Sequence, residues 1–128
     1  MEVRKELLYT STHEWVFDKN GIVRMGITDH AQDRLTDIVY AELPEIEKYY
    51  KKGEVIATLE SVKSVAEIYA PVSGKVIATN EKLEEDPGII NSSPYDEGWI
   101  ADIEIEDENE LKELMDAKEY EELISKDL

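Results

Sequence analysis

The sequence predicts a mainly β fold, a small sandwich of two antiparallel sheets with one short capped helix and a C-terminal helical tail. Three observations point to it: an Asn20-Gly21 pair between two apolar runs, a Gly-led octamer that occurs twice, and a change of hydrophobic period after residue 105. Asn-Gly between strands is a strong hairpin signal, because the tight turn that matches strand twist needs positive φ at both central residues. Gly53-Glu54-Val55-Ile56-Ala57-Thr58-Leu59-Glu60 is echoed by Gly74-Lys75-Val76-Ile77-Ala78-Thr79-Asn80-Glu81, the copies differing only at their second and seventh positions. Two copies are too few for a solenoid and suit a quasi-twofold pair of strand units in a sandwich.

In chain order, Trp15-Val16-Phe17 and Ile22 to Ile27 form the hairpin around Asn20-Gly21. Thr28-Asp29 caps a brief helix that closes near Leu35, Asp29 and Gln32 having capping-box spacing. Ile38 to Leu43 returns to strand and Pro44 ends it. Each Gly-led octamer reads as a strand. Between them Ser61-Val62-Lys63-Ser64-Val65 makes a polar turn into a further strand, Ala66 to Ala70, stopped by Pro71. Asp86-Pro87-Gly88 is a turn, and Asn91 to Trp99 is a loop rich in turn residues that feeds Trp99, through Gly98, as a buried aromatic. Trp99 to Ile105 alternates as a half-buried strand. Leu111, Leu114 and Met115 mark a helical face starting near Asp107 or Glu108, and Asp116 with Glu119 caps a second helix carrying Tyr120, Leu123 and Ile124. This tail is expected to pack on the sheet.

With 128 residues, a single domain over 1–128 is expected, its core at about 9–105 and its C-terminal helices at about 107–126. Thirty-one acidic against fourteen basic residues, a formal net charge of −17, repel phosphate backbones and anionic membranes, so neither nucleic acid nor membrane is an expected partner. The same charge suits proteins with basic docking faces. Cysteine is absent, so any redox sulfur must come from an attached cofactor. His13 and His30 lack ligand-like spacing, and no metal site is expected. Met1 to Leu8 is too charged for a secretory h-region and no run spans a bilayer, which reads as cytoplasmic. No Ser-His-Asp order, phosphate-cradling glycine loop or paired-acid motif stands out, so a non-enzyme is expected.

The strand-turn-strand pattern puts Lys63 at a hairpin tip between Glu60 and Glu67. By its residue type alone it is an ordinary surface lysine. A lysine presented at a fixed tip with acidic neighbours is also what a modifying enzyme needs, and Glu60 and Glu67 are the candidate recognition residues.

Leu59-Glu60-Ser61-Val62-Lys63-Ser64-Val65-Ala66-Glu67-Ile68-Tyr69-Ala70-Pro71-Val72-Ser73-Gly74 resembles the lipoyl-attachment segment of glycine cleavage H proteins. Thr12-His13-Glu14-Trp15-Val16, Gly26 to Gln32, Asp37-Ile38-Val39-Tyr40, Leu43-Pro44-Glu45, Lys52-Gly53-Glu54 and Asn91 to Trp99 resemble the same family in the same order, covering about Tyr9 to Tyr120. The resemblance implies a lipoyl/biotinyl-carrier-like barrel-sandwich hybrid with lipoate bound to Lys63 as N6-lipoyllysine. It implies a non-catalytic carrier that shuttles an aminomethyl group from the pyridoxal-phosphate glycine decarboxylase to the tetrahydrofolate-dependent aminomethyltransferase. Electrons then pass to dihydrolipoyl dehydrogenase, and lipoyl-attaching enzymes are further partners. Thr12, Glu14 and Glu67 are implied to line a cleft for the loaded arm. Thr36 and Glu47 depart from the family by standing where glycine is usual, and Tyr49-Tyr50 fills a stretch usually less aromatic. An H-like carrier serving as a lipoate relay or in another lipoyl-dependent pathway is the alternative. A biotinyl carrier fits less well, because biotin acceptors place Met on both sides of the lysine where Val62 and Ser64 stand here. An unmodified interaction domain is the remaining reading.

Overall fold

The computed structural model describes residues 1–126. Among them, nine strands form two antiparallel sheets. Strands β1 (Leu8–Tyr9), β2 (Glu14–Lys19), β3 (Ile22–Ile27), β5 (Tyr49–Tyr50), β8 (Gly74–Thr79) and β9 (Ala101–Ile105) make a sheet of order β1-β2-β3-β9-β8-β5, and β4 (Ile38–Glu42), β6 (Val55–Ser61) and β7 (Val65–Tyr69) make a second of order β4-β6-β7. The main core lies where Val23, Met25, Val76 and Ile103 of the larger sheet meet Ile56, Leu59 and Ile68 of the smaller one. The expected sandwich is therefore the observed architecture. No helix among the described residues is long and apolar enough to cross a membrane.

Lys19 pairs with Ile22, and both Asn20 (φ 54°) and Gly21 (φ 87°) adopt the positive φ that a two-residue turn requires. The two octamer copies fall into different sheets as β6 and β8, and their leading glycines do different work. Gly53 takes φ +89° with open space around its missing Cβ, whereas a Cβ on Gly74 would lie 2.2 Å from the Glu104 carbonyl oxygen.

Helix α1 (Asp29–Leu35) forms as expected, but its cap is Thr28, whose hydroxyl accepts from Ala31 N at 3.2 Å. Asp29 does not close a capping box; it accepts instead from Gln32 Nε2 (2.7 Å) and Glu2 N (2.8 Å). The Asp86 to Trp99 region, expected as turn and loop, is flanked and interrupted by single helical turns, α2 (Lys82–Glu85) and α3 (Ile89–Ser92). Four residues are too few to carry a helical period. Trp99 is half-buried rather than buried and lies outside β9, with the Arg24 guanidinium 3.8 Å above its ring.

The tail packs on the sheet, as expected, although its first half is a 3-10 helix (Glu108–Glu113) that stops short of Met115. Met115 is pulled out straight because its N–H and carbonyl both bond to Tyr9 at 2.8 Å. Helix α4 (Ala117–Ser125) opens with the expected Asp116–Glu119 capping box, and Tyr120 stacks on Tyr9 at 4.5 Å. Together with Leu7, Trp15, Tyr95 and Ala117 these rings make a second, smaller core.

Both departures from family glycines, Thr36 (φ 63°) and Glu47 (φ 79°), sit at positive φ. Thr36 combines this with ψ −149°, a region that only glycine occupies freely. Strain of about 1–3 kcal/mol there outweighs the extra chain entropy of an unfolded glycine, about 0.5–1 kcal/mol. Thr36→Gly is expected to raise stability by about 1 kcal/mol, read as a higher urea midpoint at unchanged slope.

Candidate functional site

Strands β6 and β7 pair from Val55 opposite Tyr69 to Glu60 opposite Val65, and the chain reverses through Ser61 to Ser64. Ser61 shapes that reversal. Its N–H donates to Ser64 O at 2.8 Å, while its hydroxyl oxygen accepts from Ser64 N (3.1 Å) and Lys63 N (3.3 Å). Val62 N donates to Asp37 O at 3.0 Å, tying the turn to the segment before β4. Lys63 thus stands exposed at the apex of a turn held by backbone bonds that leave its ammonium uninvolved. Around it lie four of the most exposed large apolar side chains, Val39 (54%), Tyr40 (50%), Val62 (67%) and Val65 (63%). Glu60 sits exposed between Tyr40 and Val65 in register, an acidic group inside an apolar collar.

Alternation carries Val65, Glu67 and Tyr69 along one face of β7 away from the apex. At its far end is a cavity of about 350 Å³ lined by Thr10, Thr12, Glu14, Lys52, Tyr69 and Pro71 among others. A larger hollow of about 530 Å³, lined by Phe17, Ile22, Arg24 and Asp102, lies on the β2-β3-β9 surface and includes none of these residues.

Glu14 is 1% exposed. His13, at φ 72°, tightens the bend between β1 and β2 so that the Thr10 and Thr12 hydroxyls both donate to Glu14 Oε1, the latter at 2.5 Å. Tyr69 N donates to Oε2 at 3.2 Å. Burial raises the carboxyl above its ordinary value, and the Thr10, Thr12 and Tyr69 donors pull it part of the way back. A folded-state pKa above the unfolded one means that the native state holds its proton longer. This group's contribution therefore falls as pH rises through and above the ordinary carboxylate range. The stability of Glu14→Gln relative to the parent is expected to climb across that interval, measured by urea unfolding at stepped pH; a flat difference would refute the burial penalty.

Of the sequence-predicted residues, the structure brings Thr12 and Glu14 together at the cavity. It leaves Glu67 exposed on β7 between apex and cavity, 3.5 Å from Tyr69 Oη, and Glu60 beside the apex. Thr10, Lys52, Ser61 and Tyr69 were not foreseen. The run Thr10-Ser11-Thr12 before Glu14 was a readable signal for a hydroxyl-lined carboxylate. Tyr69 contributes its backbone N–H, which side-chain type does not disclose.

The family model described as glycine cleavage H-protein matches residues 7–127. The chain belongs to that family. It is 49% identical to the glycine cleavage system H protein of Thermotoga maritima over 93% of this chain and 96% of the other. With the Listeria monocytogenes protein of the same name it shares 50% identity over 97% and 99% of the two chains. The crystal structure of the H protein from Mycobacterium marinum superposes with a TM-score of 0.83 at 31% identity, covering 92% of this chain and 95% of that one. The H-protein family thus accounts for both sheets and for the hairpin that bears Lys63.

Proposed function

We propose that this chain is the lipoyl carrier of glycine cleavage, with lipoate joined through an amide to Lys63 Nζ as N6-lipoyllysine. The observation that carries the reading is the alignment of an exposed lysine apex with a carboxylate-floored cavity along one face of β7. Four strand steps from Val65 to Tyr69 cover about 13 Å, a length comparable to a lysine stem extended by the acyl chain. Bound there, the group supplies a dithiolane that takes up an aminomethyl unit and a pair of electrons.

The chain's own residues hold and shield rather than react. Lys63 tethers, which raises the effective concentration of its load at each docking site. The collar of Val39, Tyr40, Val62 and Val65, with Glu60 and Glu67 beside it, presents the apex to lipoyl-attaching enzymes. A carboxylate offers about four lone-pair sites, and Thr10, Thr12 and Tyr69 use three at Glu14. The remaining one, with Thr12 alongside and Glu67 at the approach, receives a protonated amine. An arriving cation also favours the carboxylate form of Glu14. The partners are the pyridoxal-phosphate glycine decarboxylase, the tetrahydrofolate-dependent aminomethyltransferase and dihydrolipoyl dehydrogenase, acting in the cytoplasm, and the carrier itself catalyses no step.

Intact mass of protein from its own host is expected to show one lipoyl adduct that maps to the Lys63 peptide. The same protein is expected to support decarboxylase-dependent exchange of bicarbonate with the glycine carboxyl group. An unmodified mass or a biotinyl increment would overturn the reading, and a lipoylated protein inert in exchange would leave a lipoate relay.

A further inference from the structure

We infer that Asn91 is a positioning residue for the Lys63 turn: its side-chain amide, reaching across from α3, grips the backbone on both sides of Asp37, whose carbonyl holds the Val62 N–H. Asn91 Oδ1 accepts from Ile38 N at 2.9 Å, and Nδ2 donates to Thr36 O at 2.7 Å. The amide therefore imitates a neighbouring strand, giving one donor and one acceptor to alternate residues of the Thr36 to Ile38 segment. Between these two bonds lies Asp37, which accepts from Val62 N at 3.0 Å.

The orientation of the amide is locked by a relay. The second Nδ2 hydrogen goes to Gln32 Oε1 at 3.0 Å, and Gln32 Nε2 goes on to Asp29 Oδ1 at 2.7 Å. A flipped Asn91 would set its NH₂ against the Ile38 N–H and its oxygen against the Thr36 carbonyl, losing all three bonds. The segment needs this grip, since Thr36 adopts a backbone conformation that a β-branched residue resists. The Ser61 bonds close the hairpin on itself, and Val62 to Asp37 ties the apex to the body just where the β4–β6 pairing ends, at Ile38 opposite Ser61 and beyond a register shift. The inference rests on the carrier reading of Lys63, and its consequence is kinetic. An attaching enzyme sees only the fraction of molecules whose apex is in register, so loosening the grip raises the apparent KM and spares kcat.

The test uses unmodified full-length protein, a lipoate–protein ligase and lipoyl-adenylate, together with amide hydrogen exchange at Val62. Asn91→Asp keeps the acceptor for Ile38 N but turns a carboxylate toward Thr36 O and Gln32 Oε1. Gln32→Ala removes one anchor and is the milder variant. Asp116→Ala unbuttons the α4 cap far from the turn and supplies a globally weakened control. Val62 exchange is expected to quicken about tenfold in Asn91→Asp beyond the change in the control, with KM rising by a similar factor, kcat unchanged, and Gln32→Ala intermediate. Exchange at Val62 no faster than in the control overturns the inference, as does quickened exchange with an unchanged KM. If Asn91→Asp does not fold, the same two readings on Gln32→Ala decide. A parent protein that takes up no lipoyl group fails at Lys63 itself, which overturns the carrier reading and this inference with it and is distinguishable from a defect confined to the variants.

Discussion

Lys63→Arg is expected to abolish the lipoyl adduct and with it all carrier activity, while leaving the fold intact. Arginine keeps the positive charge but offers a guanidinium that stays protonated, so it lacks the amine that amide formation needs. The native side chain is exposed and the bonds of its turn are made by backbone atoms and the Ser61 hydroxyl. Stability should therefore move by less than about 0.5 kcal/mol. Free lipoate should rescue poorly, because a tether raises overall binding by on the order of 10²–10⁴. The measurements are intact mass, glycine–bicarbonate exchange and a urea melt on the same preparation. Exchange at the parental rate by a folded, adduct-free Lys63→Arg protein would refute the assignment of the attachment point.

Gly74→Ala is expected to produce the largest loss of stability among single-methyl additions at the two octamer glycines. A Cβ at Gly74 meets Glu104 O at 2.2 Å and Ile103 Cγ2 at 2.7 Å, and neither can yield without parting β8 from β9. Overpacking of this kind costs about 3 kcal/mol, placed where the start of β8 pairs with the end of β9. The equivalent Gly53→Ala meets no atom within 4 Å and suffers only from its positive φ. About 1 kcal/mol is expected there. Urea unfolding of the pair separates the two causes: equal losses would mean that β8 and β9 can slide apart more cheaply than their register implies.

The Asn20-Gly21 turn, the Asp116–Glu119 capping box and the Lys63 apex were all legible in the sequence, because each depends on residues within a few positions of one another. Backbone sign, cap chemistry and strand alternation act over that range. The two-residue strands β1 and β5 were not, having no room for a period. Nor was the early end of the tail's first helix, where the bonds between Met115 and Tyr9 override a helical spacing.

The cavity shows the same division. Glu14 and Thr12 could be named from their motif, but the burial that raises the Glu14 carboxyl, and the Tyr69 N–H that partly offsets it from 55 residues away, come only with the fold. Asn91 grips Ile38 across 53 residues. By itself the sequence determined where the chain turns, which lysine stands at the hairpin tip and which family it resembles. Only the tertiary structure decided that Glu14 is desolvated and that the apex is anchored through Asp37, since both depend on contacts made when the two sheets and the loop before β9 close on one another.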